Sequence, residues 1–312
     1  MAMQTILGAG GAIGTELARE LRHYTDRVRL VGRKPVAVNP TDELFSADLT
    51  NAAQVERAVA GSDVVYLTVG YEYNRRVWRA KWPATMRNVL DACQKHQAKL
   101  VFFDNVYMYD RAYIAHMTEE TPVRPTSKKG EIRAQIAQML LSAAQSGQVQ
   151  ALIARSADFL GLKNSVLVET VYKNLSKGKR ADWLANADKI HNWTNVLDAA
   201  KATALLGNTP DAYNQVWHLP TDKAPITGRQ WVEMFAQEMH VAPRFRVVPL
   251  WLMSLLGLFV PVMRELREMA YQYSQDYFFD SSKFEKRFGY TPISAREGVR
   301  QIVTSGKQGA GN

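Results

Sequence analysis

Three observations predict an α/β protein built on a doubly wound parallel sheet. Short apolar segments alternate with helix-sized amphipathic ones through the first half of the chain, the first of them runs straight into a glycine-rich turn, and the alternation breaks down beyond residue 160. Strands that are apolar on both faces and separated by helices belong in a sheet covered on both sides.

Taken in order, "MQTIL" reads as a short strand. The helix "IGTELARELRHY" follows, with Ile13, Leu17, Leu21 and Tyr24 on one face. "RVRLVG" is the second strand, and "NAAQVERAVAG" is a helix. Then come "DVVYLTVG" as a strand, "RRVWRAKWPATMRNVLDACQKH" as a long helix, "KLVFF" as a strand, "KKGEIRAQIAQMLLSAAQ" as a helix and "QALIAR" as a strand. Beyond residue 160, "NSVLVETVYKNLSKG" and "WVEMFAQEM" look helical without regular strand partners, and seven prolines from Pro210 to Pro292 interrupt the pattern. The expected layout is a dinucleotide-binding core over 1–160, to which 186–218 returns, and a smaller discontinuous cap over 161–185 and 219–305. The expectation for 306–312 is a flexible tail. A cap of this kind would sit at the carboxyl ends of the strands, where open α/β sheets bind ligands.

The composition is that of an ordinary globular chain: 312 residues, 46% hydrophobic, 22% charged, with a formal net charge of +9. The Lys and Arg are scattered rather than clustered, which favours an anionic small ligand over nucleic acid. One cysteine, Cys93, excludes an internal disulfide; in a helix it reads as a small buried residue. The N-terminus has no basic leader followed by an apolar core, so a cytoplasmic protein is expected, as monomer or homodimer. The uncharged stretch "VVPLWLMSLLGLFVPVM", 247–263, is short for a membrane span and carries two prolines. A packed helix or lid is favoured there over peripheral membrane contact. The six histidines are isolated, and neither H-E-x-x-H nor G-x-S-x-G occurs, so neither a metal site nor a serine hydrolase is expected.

The turn "GAGGAIG" places Gly8, Gly11 and Gly14 between a strand and a helix, with Ala12 and Ile13 opening that helix. Glycine permits the tight turn and close backbone approach, and the helix N-terminus offers N–H groups to a pyrophosphate. The context, strand before and amphipathic helix after, is what makes the pattern specific for a Rossmann-like nucleotide site. At the end of the second strand an NAD site carries an acidic residue for the ribose hydroxyl. Here "GRKP" puts Arg33 and Lys34 there, fixed positive charge suited to a 2′-phosphate, so NADP(H) is preferred and NAD(H) is the second choice.

These segments, with "ADL" at 47–49, "DVVYLTVG" at 63–70, "FFDNVYMYD" at 102–110, "ARSADFLG" at 154–161 and "NWTNVLDAAKA" at 192–202, resemble the extended and atypical short-chain dehydrogenase/reductases, in the NAD-dependent epimerase/dehydratase branch. The resemblance implies that Asp48 and Leu49 contact adenine and that Leu67, Thr68 and Val69 pass beside the cofactor. It places Ser156 and Ala157 near the nicotinamide and Asp158 toward substrate. The family's reaction uses a Ser or Thr at a strand end and a Tyr followed four residues later by Lys. In this chain Asn105 stands in the Ser position, Lys129 in the Tyr position and Arg133 in the Lys position, and no Tyr is followed four residues later by Lys. Asn105 can still hydrogen-bond a substrate oxygen or the ribose, and Lys129 also remains as a cofactor contact. Lys129 can act as an acid, with Arg133 as the charge beside it, and Tyr107 can supply a hydroxyl. Tyr71 and Tyr109 are nominated as substrate contacts.

Two readings stay open. One is an NAD(P)-dependent oxidoreductase or epimerase/dehydratase-like enzyme for a small carbonyl, hydroxyl or sugar-type compound, working through a non-standard acid. The alternative is a non-catalytic NADP(H)-binding sensor. Both take a small-molecule ligand.

Overall fold

The computed structural model describes residues 2–256 and 261–309, and it divides the chain into two compact units. The first comprises residues 1–108, 128–156 and 199–219; the second comprises 109–127, 157–198 and 220–312.

In chain order the first unit begins with β1 (Gln4–Leu7), α1 (Ala12–Glu20), β2 (Val28–Gly32), β3 (Glu43–Ser46), α2 (Ala52–Val59) and β4 (Val64–Leu67). It continues with α3 (Arg75–His96), β5 (Lys99–Asp104), α4 (Lys128–Gln145) and β6 (Ala151–Arg155). Next along the chain come β7 (Asp158–Leu160), α5 (Lys173–Ser176), β8 (Ala181–Leu184), β9 (Trp193–Asn195), α6 (Val196–Gly207) and β10 (Val216–His218). The chain closes with α7 (Gly228–Met239), β11 (Phe245–Val248), α8 (Leu250–Leu256), α9 (Pro261–Met269), α10 (Ser282–Phe288) and α11 (Ala295–Gly309).

Seven strands form one parallel sheet in the order β10-β6-β5-β4-β1-β2-β3, flanked by helices, which is the doubly wound Rossmann-like fold expected. β1, β4 and β6 are buried along their whole length, the burial pattern of strands covered on both faces. The chain runs outward through β2 and β3, then returns to lay β4 on the other side of β1, with Leu7 opposite Leu67. The strand order therefore reverses between β1 and β4, and it is outside the carboxyl ends of strands at such a point that open α/β sheets bind ligands. Apolar residues of α2, α3, α4 and the sheet form one continuous core.

The second unit has its own core, centred on Trp183, Trp193, Trp231 and Phe235. It also contains two parallel strand pairs, β8 with β11 and β7 with β9. The sequence offered no strand partners here, because runs of three or four residues are too short for alternation to register. The segment 247–263 is not a single helix: Val247 and Val248 end β11, α8 follows, and residues 257–260 lie outside the described residues. Among the described residues no helix is long and apolar enough to cross a membrane. Of the stretch expected as a tail, 306–309 is the end of α11, and 310–312 lie outside the described residues.

Candidate functional site

The glycine turn lies at the point where the strand order reverses. Gly8 has φ +107°, a region closed to side chains, and a Cβ there would sit 2.4 Å from the Val69 backbone beyond β4. A Cβ on Gly14 would meet the Gly8 carbonyl at 2.7 Å and Ala9 Cα at 2.8 Å. These two glycines let α1 and the end of β4 close on the turn. The turn is tied to β2 by Gly8 and Ala9 N–H groups on the Val31 carbonyl, at 2.9 and 3.2 Å. Gly11 is the N-cap of α1 and has no side chain to occupy the opening amides, which suits them to an anion. Ala12 and Ile13 are buried in the first turn. The cradle therefore fits a pyrophosphate.

Arg33 and Lys34 are both exposed just past β2. Asp48 accepts from the Thr50 N–H and hydroxyl, at 2.9 and 2.8 Å. The Thr50 backbone and hydroxyl bonds, and then the Lys81 and Arg33 charges, hold its carboxyl below the usual range. Leu49 and Leu67 are buried, while Thr68 donates its N–H to the Leu7 carbonyl at 2.9 Å and Val69 faces Gly8.

The end of β5 holds a buried charge cluster that the sequence did not reveal. Asp104 Oδ1 accepts from Arg133 Nε at 2.8 Å and from its Nη2, and Asp104 Oδ2 accepts from Arg155 Nε at 3.4 Å. All three side chains are almost wholly buried. The Arg133 guanidinium also lies over the rings of Trp82, at 4.4 Å, and Phe102, at 4.9 Å. A signal was present: Asp104 follows the apolar run LVFF in β5 and Arg155 the apolar run ALIA in β6, and a charge there needs a partner.

Lys129 and Arg133 share the buried stripe of α4, four residues apart, with Ile132, Ile136 and Leu140. Lys129 is 0% exposed, with Nζ 4.5 Å from the Tyr73 ring centre. Tyr73 meets Trp78 edge-on, and Trp78 stacks with Tyr107 at 6.3 Å. Tyr107 thus belongs to an aromatic wall beside the two cations. Asn105 is half-buried; its Oδ1 accepts from the Tyr107 N–H at 3.1 Å, and its Nδ2 has no partner among the described residues. Tyr71 faces α3, its hydroxyl 2.5 Å from Thr85 Oγ1, and burial pushes its pKa up. Ser156, buried, donates its N–H to the Asp104 carbonyl at 3.0 Å.

Within the second unit, Ala157 N–H donates to Thr194 Oγ1 at 3.1 Å, and Tyr109 is buried and bridged to Val123. Asp158 Oδ2 sits 3.0 Å from His191 Nε2 and accepts from the Tyr273 hydroxyl at 3.1 Å, while its Oδ1 has no partner among the described residues. The His191 ring lies between Tyr273 and Tyr277, at 4.4 and 4.3 Å, and its buried Nδ1 has no partner among the described residues. His191 and Tyr273 lie far from Asp158 in sequence, so only folding reveals that they orient it. Among the described residues no group of three or more His, Cys, Asp or Glu is arranged to hold a metal ion.

A doubly wound parallel sheet with a glycine turn at its strand-order reversal defines an α/β protein of the Rossmann-like class. The model of the NAD dependent epimerase/dehydratase family matches residues 5–218, and the chain belongs to that family. Similar solved structures include dTDP-glucose 4,6-dehydratase DesIV from Streptomyces venezuelae with NAD and TYD bound, at 16% identity and TM-score 0.78, covering 99% of this chain and 98% of that one. UDP-glucose 4-epimerase from Thermus thermophilus in complex with NAD shares 17% identity, with TM-score 0.76 and coverage of 97% and 98%. UDP-glucuronic acid 4-epimerase from Bacillus cereus in complex with NAD shares 14%, with TM-score 0.79 and coverage of 98% and 99%. At these identities the likeness is one of fold. No curated protein sequence matches the chain.

Proposed function

We propose that the protein is an NADP(H)-dependent oxidoreductase or epimerase/dehydratase-like enzyme acting on a small carbonyl, hydroxyl or sugar-type compound. The observation that carries this reading is the cradle at Gly8, Gly11 and Gly14 with Arg33 and Lys34 exposed at the end of β2. The loop amides hold the pyrophosphate, Arg33 and Lys34 hold the 2′-phosphate, and Asp48 and Leu49 border the adenine. Leu67, Thr68, Val69, Ser156 and Ala157 line the remainder. When bound, the dinucleotide supplies hydride transfer.

The chain's own residues then orient the substrate and move the proton. Asn105, whose Oδ1 is taken by the Tyr107 N–H, offers its Nδ2 as a donor to a substrate oxygen. Lys129 exchanges the proton, with Tyr107 as part of the wall beside it. Asp158, held by His191 and Tyr273, offers Oδ1 to a substrate hydroxyl. Arg133 fixes the end of β5 through Asp104, which gives it a positioning part.

Titration of nucleotide-free protein with NADPH and NADH, followed by fluorescence, tests the cofactor reading. NADPH should bind at least roughly tenfold tighter than NADH, and Arg33→Asp should erase that preference, because one bidentate phosphate pair is worth on the order of that factor. Binding of neither nucleotide would sink the reading.

A carbonyl and sugar-nucleotide panel tests the chemistry. Lys129→Ala and Asn105→Ala should lower kcat by roughly a hundredfold with cofactor affinity unchanged, and Asp158→Asn should raise KM. The sensor reading is supported by the engagement of Arg133 with Asp104 and the lack of a Tyr–Lys pair. Selective binding of one redox form with no turnover on any panel member would establish it instead.

A further inference from the structure

Exposed apolar side chains gather at one place in the second unit. Val241, Val247, Trp251 and Leu255 are four of the eleven large apolar residues that lie exposed, and Trp251, at 67%, is the most open aromatic among them. Trp251 and Leu255 stand four residues apart on α8 and so share one face, while Met253 on the opposite face is wholly buried in the core of the unit. The helix is packed on one side and bare on the other, so the packed-helix expectation accounts for only half of it.

Cations border the bare face. Arg267 of α9 donates from Nε to Ser254 Oγ at 3.0 Å, and Ser254 adjoins Leu255 on the exposed side of α8. Arg264, one turn earlier on α9, is exposed as well, whereas Glu265 is buried and Glu268 half-buried. The exposed side chains described on the two helices are therefore Trp251, Ser254, Leu255, Arg264 and Arg267, with no exposed acid. Along the chain, the run from Val247 to Met263 carries no charge and has Arg246 and Arg264 at its two ends.

A tryptophan and a leucine left in water forgo their burial, so the fold gains nothing from them there. A phospholipid surface takes up both features at once: Trp and Leu enter the boundary between headgroups and acyl chains, and the arginines beside them meet lipid phosphates. With seven residues α8 is too short to span a bilayer, and it would lie in the plane of the interface. A second copy of the chain fits this face less well, because a two-fold contact through it would bring Arg264 and Arg267 of both copies together.

We propose that the exposed face of α8, with Arg264 and Arg267 of α9, docks the protein on an anionic phospholipid surface. The proposal is independent of the cofactor and substrate readings, which the nucleotide titration and the substrate panel test separately.

The test is co-flotation of the full-length protein at physiological salt with vesicles of phosphatidylcholine alone and of equimolar phosphatidylcholine and phosphatidylserine. Three variants accompany the wild type: Trp251→Ser/Leu255→Ser, Arg264→Gln/Arg267→Gln, and Arg27→Gln/Arg57→Gln, an exposed pair in the first unit that removes the same charge elsewhere. All six positions are exposed, and urea melts confirm that each variant folds. The expected result is binding of wild type to the mixed vesicles, at least roughly tenfold weaker binding to phosphatidylcholine alone, and a similar loss on mixed vesicles in each of the first two variants. The first-unit pair should change binding by less than about twofold, since screened charges away from the contact add little. Wild type that stays unbound, undiminished binding of Trp251→Ser/Leu255→Ser, or an equal loss in the first-unit pair would each overturn the proposal. So would self-association that Trp251→Ser/Leu255→Ser abolishes in protein that does not float, which would give the face to a second copy of the chain.

Discussion

Gly8→Ala should cost about 2–6 kcal/mol of stability and abolish dinucleotide binding, whereas Gly10→Ala, two residues away, should change neither. Two penalties meet at Gly8. A non-glycine residue at φ +107° carries backbone strain of about 1–3 kcal/mol. The added Cβ lies 2.4 Å from both N and Cα of Val69, backbone atoms that cannot rotate away, and forced overpacking costs a further roughly 1–3 kcal/mol. At Gly10 a Cβ meets nothing within 4 Å. The check is a pair of urea melts with a nucleotide titration on each variant. Equal midpoints for Gly8→Ala and wild type would mean that β4 and the turn do not approach as described.

The second large effect is expected at Asp104. Its carboxylate is the counter-charge that Arg133 and Arg155 share, and Asn at the same position keeps the shape while removing the charge. Taking one partner out of a buried ion pair typically costs about 3–5 kcal/mol, because the remaining charge has been removed from water without compensation. Asp104→Asn should therefore lower the urea midpoint with the slope unchanged, the product of slope and shift falling in that range. Arg155→Met removes the 3.4 Å contact with Asp104 and leaves that carboxylate its bonds to Arg133. A loss below about 1 kcal/mol for Asp104→Asn would place the cluster among solvated surface pairs.

The cluster also explains how α4 can carry cations on its buried stripe. Arg133 is neutralised by Asp104 and packed against Trp82 and Phe102, and Lys129, one turn earlier, lies on Tyr73. The aromatic residues of α3 and the segment before it thus supply the surfaces on which both cations rest. Trp78 and Trp82, on the buried face of α3, hold indole N–H groups inside this wall that have no hydrogen-bond partner among the described residues. From the sequence these tryptophans read only as members of a long amphipathic helix.

What was legible in the sequence was local. The alternation of short apolar strands with amphipathic helices follows from the periods of two and 3.6 residues, which any covered parallel sheet imposes on its chain. The glycine turn was legible because its chemistry is written in consecutive residues, and the basic pair after β2 because it adjoins the strand end. The small strands of the second unit were not, since three or four residues carry no period, and neither was the boundary that assigns residues 109–127 to that unit.

By itself, then, the sequence determined the sheet architecture and the position of the glycine turn, and it marked which positions stand where the resemblance places the family's Ser, Tyr and Lys. The tertiary structure alone decided what those positions touch. Asp104 finds Arg133 29 residues away and Arg155 51 residues away because β5 lies beside β6 and α4 packs over the sheet. Asp158 finds His191 33 residues on because β7 pairs with β9. Buried charges and hydrogen-bonded carboxylates are set by strand order and by exclusion of water, and neither is a property of neighbouring residues along the chain.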